Sequence, residues 1–440
     1  MSSRVTADVR ALVLHPTEAL VLTVEGVLPS ATTSKNVQDG AGVPDLFAFL
    51  VPEKLRFLRR LAFTFERTAP DAWHLEGTFA LEAAGECLAL GAWTPIDALG
   101  ETDAAFARLA FAPDERIPWW RRGWLREALA WLDGALEALG ERREGDPTFV
   151  RSWQISALYR VRTTDGTRYL KAVPSFFARE SRVTRWLHEL HTSAAPAVLA
   201  ARGDTLFLMA SAGDRSFGEE DALSLARHLA AVQRLTETRH ADLLALGCAR
   251  RSLADLAADV HALLASDPLL SVGDLSAADV AALRALEPRL IEACERLAAS
   301  PIASTVVHGD LHAGNVMFDG SIPTLLDWSD AALGFPFLDA NPAYFLAKEA
   351  PREAEDAMRD AYLQAWTNVL PLPDLRALHA DATLLGELHR AVSYVKFIAP
   401  HVPDPAEWAD AHVWHLKRAL ELARLSDAPL PTRGAAAGTD

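Results

Sequence analysis

Two rhythms of apolar positions divide the chain. Residues 9–14 and 19–24 are apolar, β-rich runs separated by His15-Pro16-Thr17-Glu18, the pattern of a hairpin. Residues 32–43 are polar and contain glycine, so a loop is expected there. From 52 to 65, Leu55, Phe57, Leu58, Leu61 and Phe63 recur close to helical spacing and predict a helix. Strand-like runs return at 73–81 and 86–92, so residues 1–112 read as a small α+β domain. Between 114 and 139 the predicted element is one helix that carries Trp119, Trp120, Trp124 and Trp131, with Pro118 suited to its start and Gly140 to its stop. Such a tryptophan face packs against a neighbour more readily than it binds a ligand, and 113–146 reads as a connecting strut.

Strand period dominates again at 149–155, 158–163 and 167–173, with Asp165-Gly166 as the turn between the last two. Lys171 stands inside the apolar run Tyr169-Leu170-Lys171-Ala172-Val173, where a lysine needs a partner. Residues 175–190 carry Phe176, Val183, Leu187 and Leu190 on one helical face, and Glu180, four residues after Phe176, falls on that face too. A carboxylate aimed at an apolar interior requires a cation, and Lys171 is the obvious one. Residues 206–209 form a further strand leading into a hinge at 210–213. Beyond the hinge helical spacing prevails at 219–236, 250–266, 277–299, 350–370, 374–398 and 405–425, between proline and glycine breakers. Residues 426–440 have the composition of a disordered tail.

The helical half is interrupted by TVVHGDLHAGNVMFDGSIPTLLDWSD, residues 305–330. Here His308, Asp310 and Asn315 stand in an H-x-D-x-x-x-x-N frame between two strand-like runs, and Asp327 ends a further apolar run. That is the layout of a phosphoryl-transfer loop with its metal-binding turn. Asp310 can orient and deprotonate a substrate hydroxyl, while the amide oxygen of Asn315 and the carboxylate of Asp327 are hard donors suited to Mg²⁺. His312 is expected to hold the loop. Lys171 then has a second use, pairing with nucleotide phosphates.

The segment resembles the aminoglycoside phosphotransferase and choline kinase superfamily. The signature H-G-D-x-H-x-x-N stands as His308-Gly309-Asp310-Leu311-His312-Ala313-Gly314-Asn315, the I-D-W-x-D-like turn as Leu326-Asp327-Trp328-Ser329-Asp330, and the later G-x-P-x-x-D-x-A stretch as Gly334 to Asn341, with Asn in place of Ala. The resemblance implies an α+β, bilobal protein-kinase-like fold: a small nucleotide lobe at 147–216 and a helical lobe at 217–425, preceded by a separate N-terminal domain. It also implies transfer of the γ-phosphate of ATP, with Mg²⁺, to a hydroxyl of a small molecule. Catalytic roles fall to Asp310 and His308, nucleotide contacts to Lys171, Glu180, Ser156 and Met209, and metal contacts to Asn315 and Asp327. No glycine stands between the first two strands of the lobe, so Ser152 or Ser156 would donate to phosphate, and GTP stays open as an alternative donor. Acceptor contacts are sought among Glu387, His389, Tyr394, Glu407 and Trp408. Gly309 stands where protein kinases carry arginine, and no long activation loop follows Asp327.

The N-terminal region faintly resembles a Nudix hydrolase in its order of elements, ending in Trp93 to Leu99. The helix at 52–65 lacks the acidic metal-binding core of such enzymes, offering Glu53 and Arg59-Arg60 only, so a structural or lid role is expected. The alternative to an active kinase is a nucleotide-binding pseudokinase or regulatory module acting through this region.

Composition narrows the setting. A formal charge of −16 and a pI near 5.4 argue against nucleic acid as partner. No apolar run reaches membrane-spanning length, and the first residues lack the apolar core of a signal peptide. Three scattered cysteines show no metal-ligand spacing and fit a reducing, cytoplasmic compartment. Nothing in the pattern speaks to oligomeric state.

Overall fold

The computed structural model describes residues 4–38, 40–69, 72–112 and 115–427. The chain divides into two compact units, one built from Met1–Arg182 with Pro196–Ser211, the other from Val183–Ala195 with Ala212–Asp440.

The first unit begins with a six-stranded mixed sheet of β1 (Arg4–Leu14), β2 (Leu20–Thr23), β3 (Ser30–Thr33), β4 (Leu55–Ala69), β5 (Ala72–Ala83) and β6 (Ala92–Pro95), in the order β4-β5-β1-β2-β6 with β3 also on β1. The expected first hairpin is present, Leu14 facing Val21. Alternation along β1 feeds two cores. Val9, Ala11 and Val13 join Phe79 and Leu81 on one face, closed by Val43 from the short helix α1 (Val43–Leu46). Leu12 and Leu14 turn to the other, which α2 (Glu101–Phe111) closes with Ala107 and Ala110.

The helix expected at 52–65 is instead the long strand β4, and no helix stands where the Nudix comparison places one. Its register on β5 shifts between Phe57 and Arg59 and again between Arg60 and Ala62. Leu55, Phe57 and Phe63 therefore belong to one core while Leu58 and Leu61 belong to the other. A strand buried on both faces and bulged twice loses its two-residue alternation and mimics helical spacing. The strand expected at 86–92 is a turn that leads into β6.

The single tryptophan helix is also revised. Pro118–Trp120 is a short 3-10 turn, and Gly123, at φ 79°, breaks the chain before α3 (Trp124–Ala138). Helix α3 packs Leu129, Leu132 and Leu136 on a five-stranded antiparallel sheet of order β10-β11-β9-β8-β7. These strands are β7 (Thr148–Ser152), β8 (Ala157–Thr163), β9 (Gly166–Ala172), β10 (Val198–Arg202) and β11 (Leu206–Ala210). The region expected to stand apart shares this unit with the five-stranded sheet. The Glu82 carboxylate on β5 accepts the Gly123 amide at 3.0 and 3.1 Å, Arg122 donates to the His15 carbonyl at 2.8 Å, and Phe149 of β7 packs on Phe57 with ring centres 5.5 Å apart. Helix α4 (Arg179–Leu190) starts in the first unit and ends in the second.

In the second unit, α5 (Ala222–Arg234), α6 (His240–Ala245), α7 (Leu253–Ala265), α8 (Asp267–Leu270), α9 (Ala277–Ala298), α10 (Arg352–Leu363), α11 (Leu372–Val392) and α12 (Ala411–Asp427) surround one apolar core. Ser252 and Ser276 cap α7 and α9 by accepting the amides of Asp255 and Asp279, whose carboxylates reach back to the serine amides. Two three-stranded sheets frame the 305–334 segment: β12 (Arg215–Ser216), β15 (Val316–Asp319) and β16 (Ile322–Leu325), and β13 (Ala249–Arg250), β17 (Ala332–Gly334) and β14 (Thr305–Val307). The helix expected at 374–398 ends at Val392 and continues as a π turn, Ser393–Ile398. The expected tail lies outside the described residues from 428 onward. Among the described residues no helix is long and apolar enough to cross a membrane.

Candidate active site

In the first unit, strand alternation turns Lys171 inward on β9, opposite Phe207 of β11, and the first turn of α4 delivers Glu180 to it. Lys171 Nζ lies 2.5 Å from Glu180 Oε1, with side chains 6% and 2% exposed. Glu189, ten residues into the helical run, is exposed to a larger degree and takes no part. Ser156 is buried in the tight turn between β7 and β8, its carbonyl accepting the Trp153 amide at 2.8 Å. Met209 is half-buried near the end of β11, paired with Tyr169 and Val198.

In the second unit, the loop between β14 and β15 is held from beneath by one buried carboxylate. Asp339 accepts the His308 amide at 2.6 Å and the Gly309 amide at 3.0 Å, and Gln233 Nε2 donates to it at 3.3 Å. Burial pushes the Asp339 carboxyl up to about 6, against the pull of those two amides. Gly309 has φ 84°, and a Cβ there would lie 2.9 Å from the Asp330 carbonyl oxygen, so only glycine fits. The His308 ring is fully buried against Trp328, accepts the Asp310 amide at Nδ1, 3.3 Å away, and donates from Nε2 to the Leu326 carbonyl at 2.7 Å. Burial drives its imidazole down to about 4, so it is neutral near pH 7. His312 Nδ1 accepts the Gly314 amide at 3.0 Å and caps the turn that follows.

Asp310 emerges from this frame 42% exposed at its side chain. Arg390 of α11 donates to its Oδ1 at 2.7 Å and to the Leu311 carbonyl at 2.5 Å. The Arg390 guanidinium stacks on Tyr344, 3.9 Å from the ring centre, and Tyr344 donates to Glu387 Oε2 at 2.7 Å. Glu387 also accepts from Asn341 at 3.1 Å and meets His415 Nδ1 at 2.8 Å. Tyr394, on the π turn, stacks between Trp408 and His415 with ring centres 5.8 and 5.7 Å away. Burial raises its hydroxyl, and the charges of Asp310 and Asp330 add to the effect. His389 is buried, and its Nε2 has no hydrogen-bond partner among the described residues. Glu407 sits on the short turn Pro405–Trp408.

The residues expected to hold a metal fit that use. Asn315 Nδ2 donates to the Asp310 carbonyl at 2.9 Å, which leaves its Oδ1 as an acceptor, and the Asn315 carbonyl takes the Leu326 amide at 2.8 Å. Asp327 adopts φ 62° and ψ 62°, a left-handed conformation that costs a non-glycine residue about 1–2 kcal/mol. Strain of that kind persists where the surrounding structure requires it, as at a switch or ligand clamp. An amide oxygen just before β15 and a carboxylate just after its partner β16 are both hard-oxygen donors.

The model of the phosphotransferase enzyme family matches residues 146–380, just over half of the 440-residue chain. The chain belongs to that family. As a family member, this phosphotransferase is an enzyme that phosphorylates a hydroxyl-bearing substrate. It resembles solved structures of a macrolide 2'-phosphotransferase type I (18% identity, 66% of this chain and 96% of that one, TM-score 0.47) and a microcompartment-associated aminopropanol kinase (18%, 67% and 98%, 0.48). It also resembles a choline/ethanolamine kinase family protein from Mesorhizobium loti (17%, 68% and 99%, 0.44). No curated protein matches the phosphotransferase.

Sequence reasoning missed Arg390 and the parts played by Asp339 and Tyr344. The Leu384–Val392 stretch of α11 is buried nearly throughout, so no polar stripe marks which side its arginine occupies. The available signal was an arginine beside Glu387 and His389 in a helix end otherwise made of leucine, alanine, glycine and valine.

Proposed function

We propose that the enzyme transfers the γ-phosphate of ATP, bound with Mg²⁺, to a hydroxyl of a small molecule. The observation that carries this reading is the exposure of Asp310, a carboxylate at the surface of a loop whose neighbours His308, Gly309 and Leu311 are buried and pinned. When bound, Mg²⁺ and ATP supply the phosphoryl group and neutralise its charge. Asp310 orients the acceptor hydroxyl and takes its proton as the new oxygen–phosphorus bond forms and the bond to the leaving ADP oxygen breaks, so proton and leaving group are both accounted for. Asn315 and Asp327 hold the metal, and Lys171, kept in place by Glu180, pairs with the phosphates. Ser156, in the turn before β8, and Met209, near the end of β11, are the further nucleotide contacts. His308, buried and bonded through both ring nitrogens, holds the loop instead of touching substrate.

The transfer is of the aminoglycoside phosphotransferase type, with a small hydroxyl compound as acceptor. The sparse, odd set Cys87, Cys248 and Cys294 suits a reducing cytoplasmic setting, where ATP is plentiful. The test is a transfer assay with γ-labelled ATP across aminoglycosides, macrolides, amino alcohols and sugars. Labelled product from at least one class, dependent on Mg²⁺, is expected. No transfer and no ATP binding would overturn the proposal.

A further inference from the structure

The segment from Thr305 to Asp319 contains no lysine or arginine. The cation against Asp310 comes from 80 residues away, where Arg390 contacts both the carboxylate and the next carbonyl with one planar group. The arginine is 6% exposed while the carboxylate is 42% exposed, so a buried group grips one oxygen of a carboxylate whose other oxygen, Oδ2, faces His312 Nε2 at 3.8 Å. Glu387, one turn before Arg390 on α11, offers a buried carboxylate nearer in sequence. It is supplied instead by Asn341, Tyr344 and His415, and no hydrogen bond from Arg390 to Glu387 is present among the described residues. An arginine serving stability alone would satisfy the buried acid first, because an unpaired buried charge is costly. Here the neutral donors release the guanidinium for Asp310, and the Tyr344 ring beneath it sets its plane.

We propose that Arg390 is a positioning residue for transfer: by holding Asp310 Oδ1 and the Leu311 carbonyl together it sets the direction in which the carboxylate meets the acceptor hydroxyl. Bidentate, stacked geometry suits arginine and not lysine, which offers a point charge. A reacting group displaced by an ångström loses rate on the order of hundredfold. The inference rests on the reading that Asp310 receives the acceptor proton.

The test measures phosphate release from γ-labelled ATP with water as acceptor, ATP affinity by calorimetry, and thermal unfolding, for Asp310→Asn, Arg390→Met, Arg390→Lys and Arg390→Ala. Arg390→Met should lower turnover about hundredfold and Arg390→Lys about tenfold, with ATP affinity held within about twofold. Added guanidinium should restore part of the Arg390→Ala turnover. A loss caused by misfolding would not respond to guanidinium. Should Arg390→Met fail to fold, Arg390→Lys decides. Wild-type turnover in Arg390→Lys while Asp310→Asn is silent would overturn the positioning role, as would ATP affinity falling in step with turnover. Wild-type turnover in Asp310→Asn would instead remove the reading beneath it.

Discussion

Lys171 and Glu180 form a buried ion pair at 2.5 Å between a strand and the first turn of a helix nine residues on. Two independent periodicities meet there: strand alternation turns the lysine inward, and helical spacing turns the carboxylate toward it. Removing one partner from a buried pair leaves an uncompensated charge at a cost of about 3–5 kcal/mol. Glu180→Gln, which keeps the shape, should bind ATP about tenfold more weakly, because the lysine is no longer held for phosphate. Calorimetry showing unchanged affinity would detach this pair from the nucleotide.

Asp339 connects buried structure to the reacting loop. Asp339→Asn replaces one of two acceptor oxygens by a donor facing the His308 and Gly309 amides. Turnover should fall about tenfold or more, and stability by about 1–3 kcal/mol, the cost of a buried donor without its acceptor. Kinetics and denaturant unfolding on one preparation check both figures.

The metal assignment predicts that Asp327→Ala weakens ATP binding in Mg²⁺ and removes most of the difference between binding with Mg²⁺ and with EDTA. Equal ATP affinity of the wild-type enzyme in Mg²⁺ and in EDTA would refute it. Alanine also relieves none of the left-handed strain at this position, so a stability gain is not expected.

Stability should decline as pH falls from about 6.5 to about 4. Burial holds His379 down to about 4 from an ordinary 6.5, so the unfolded chain takes up its proton first and folding loses ground across that window. Asp339 works in the opposite sense: its carboxyl, raised to about 6 from 3.8, favours folding more as pH falls through the same range. His228 and His415 are also lowered by burial, so the histidines outnumber it. Melting temperatures across this range should fall, with a shallower slope in His379→Gln.

The loop and its flanking strands were legible because the motif is compressed into residues 305–330, and the ion pair because each partner obeys a local periodicity. Arg390 was not, since its contact with Asp310 spans 80 residues and its helix end is buried on every side, so burial does not mark which face meets the loop. Strand β4 misled for a local reason: its register shifts after Phe57 and after Arg60 carry apolar side chains to both faces and imitate a helix. Gly123 cut the tryptophan run because a left-handed glycine outweighs the apolar pattern around it.

The central claim is that Asp310 acts on the acceptor and not on ATP. The direct measurement is transfer and ATP affinity together for Asp310→Asn, a change that keeps size and removes basicity. Turnover lower by about hundredfold or more, with ATP affinity within about twofold of wild type, is the predicted result. Near-wild-type turnover in Asp310→Asn would contradict the account.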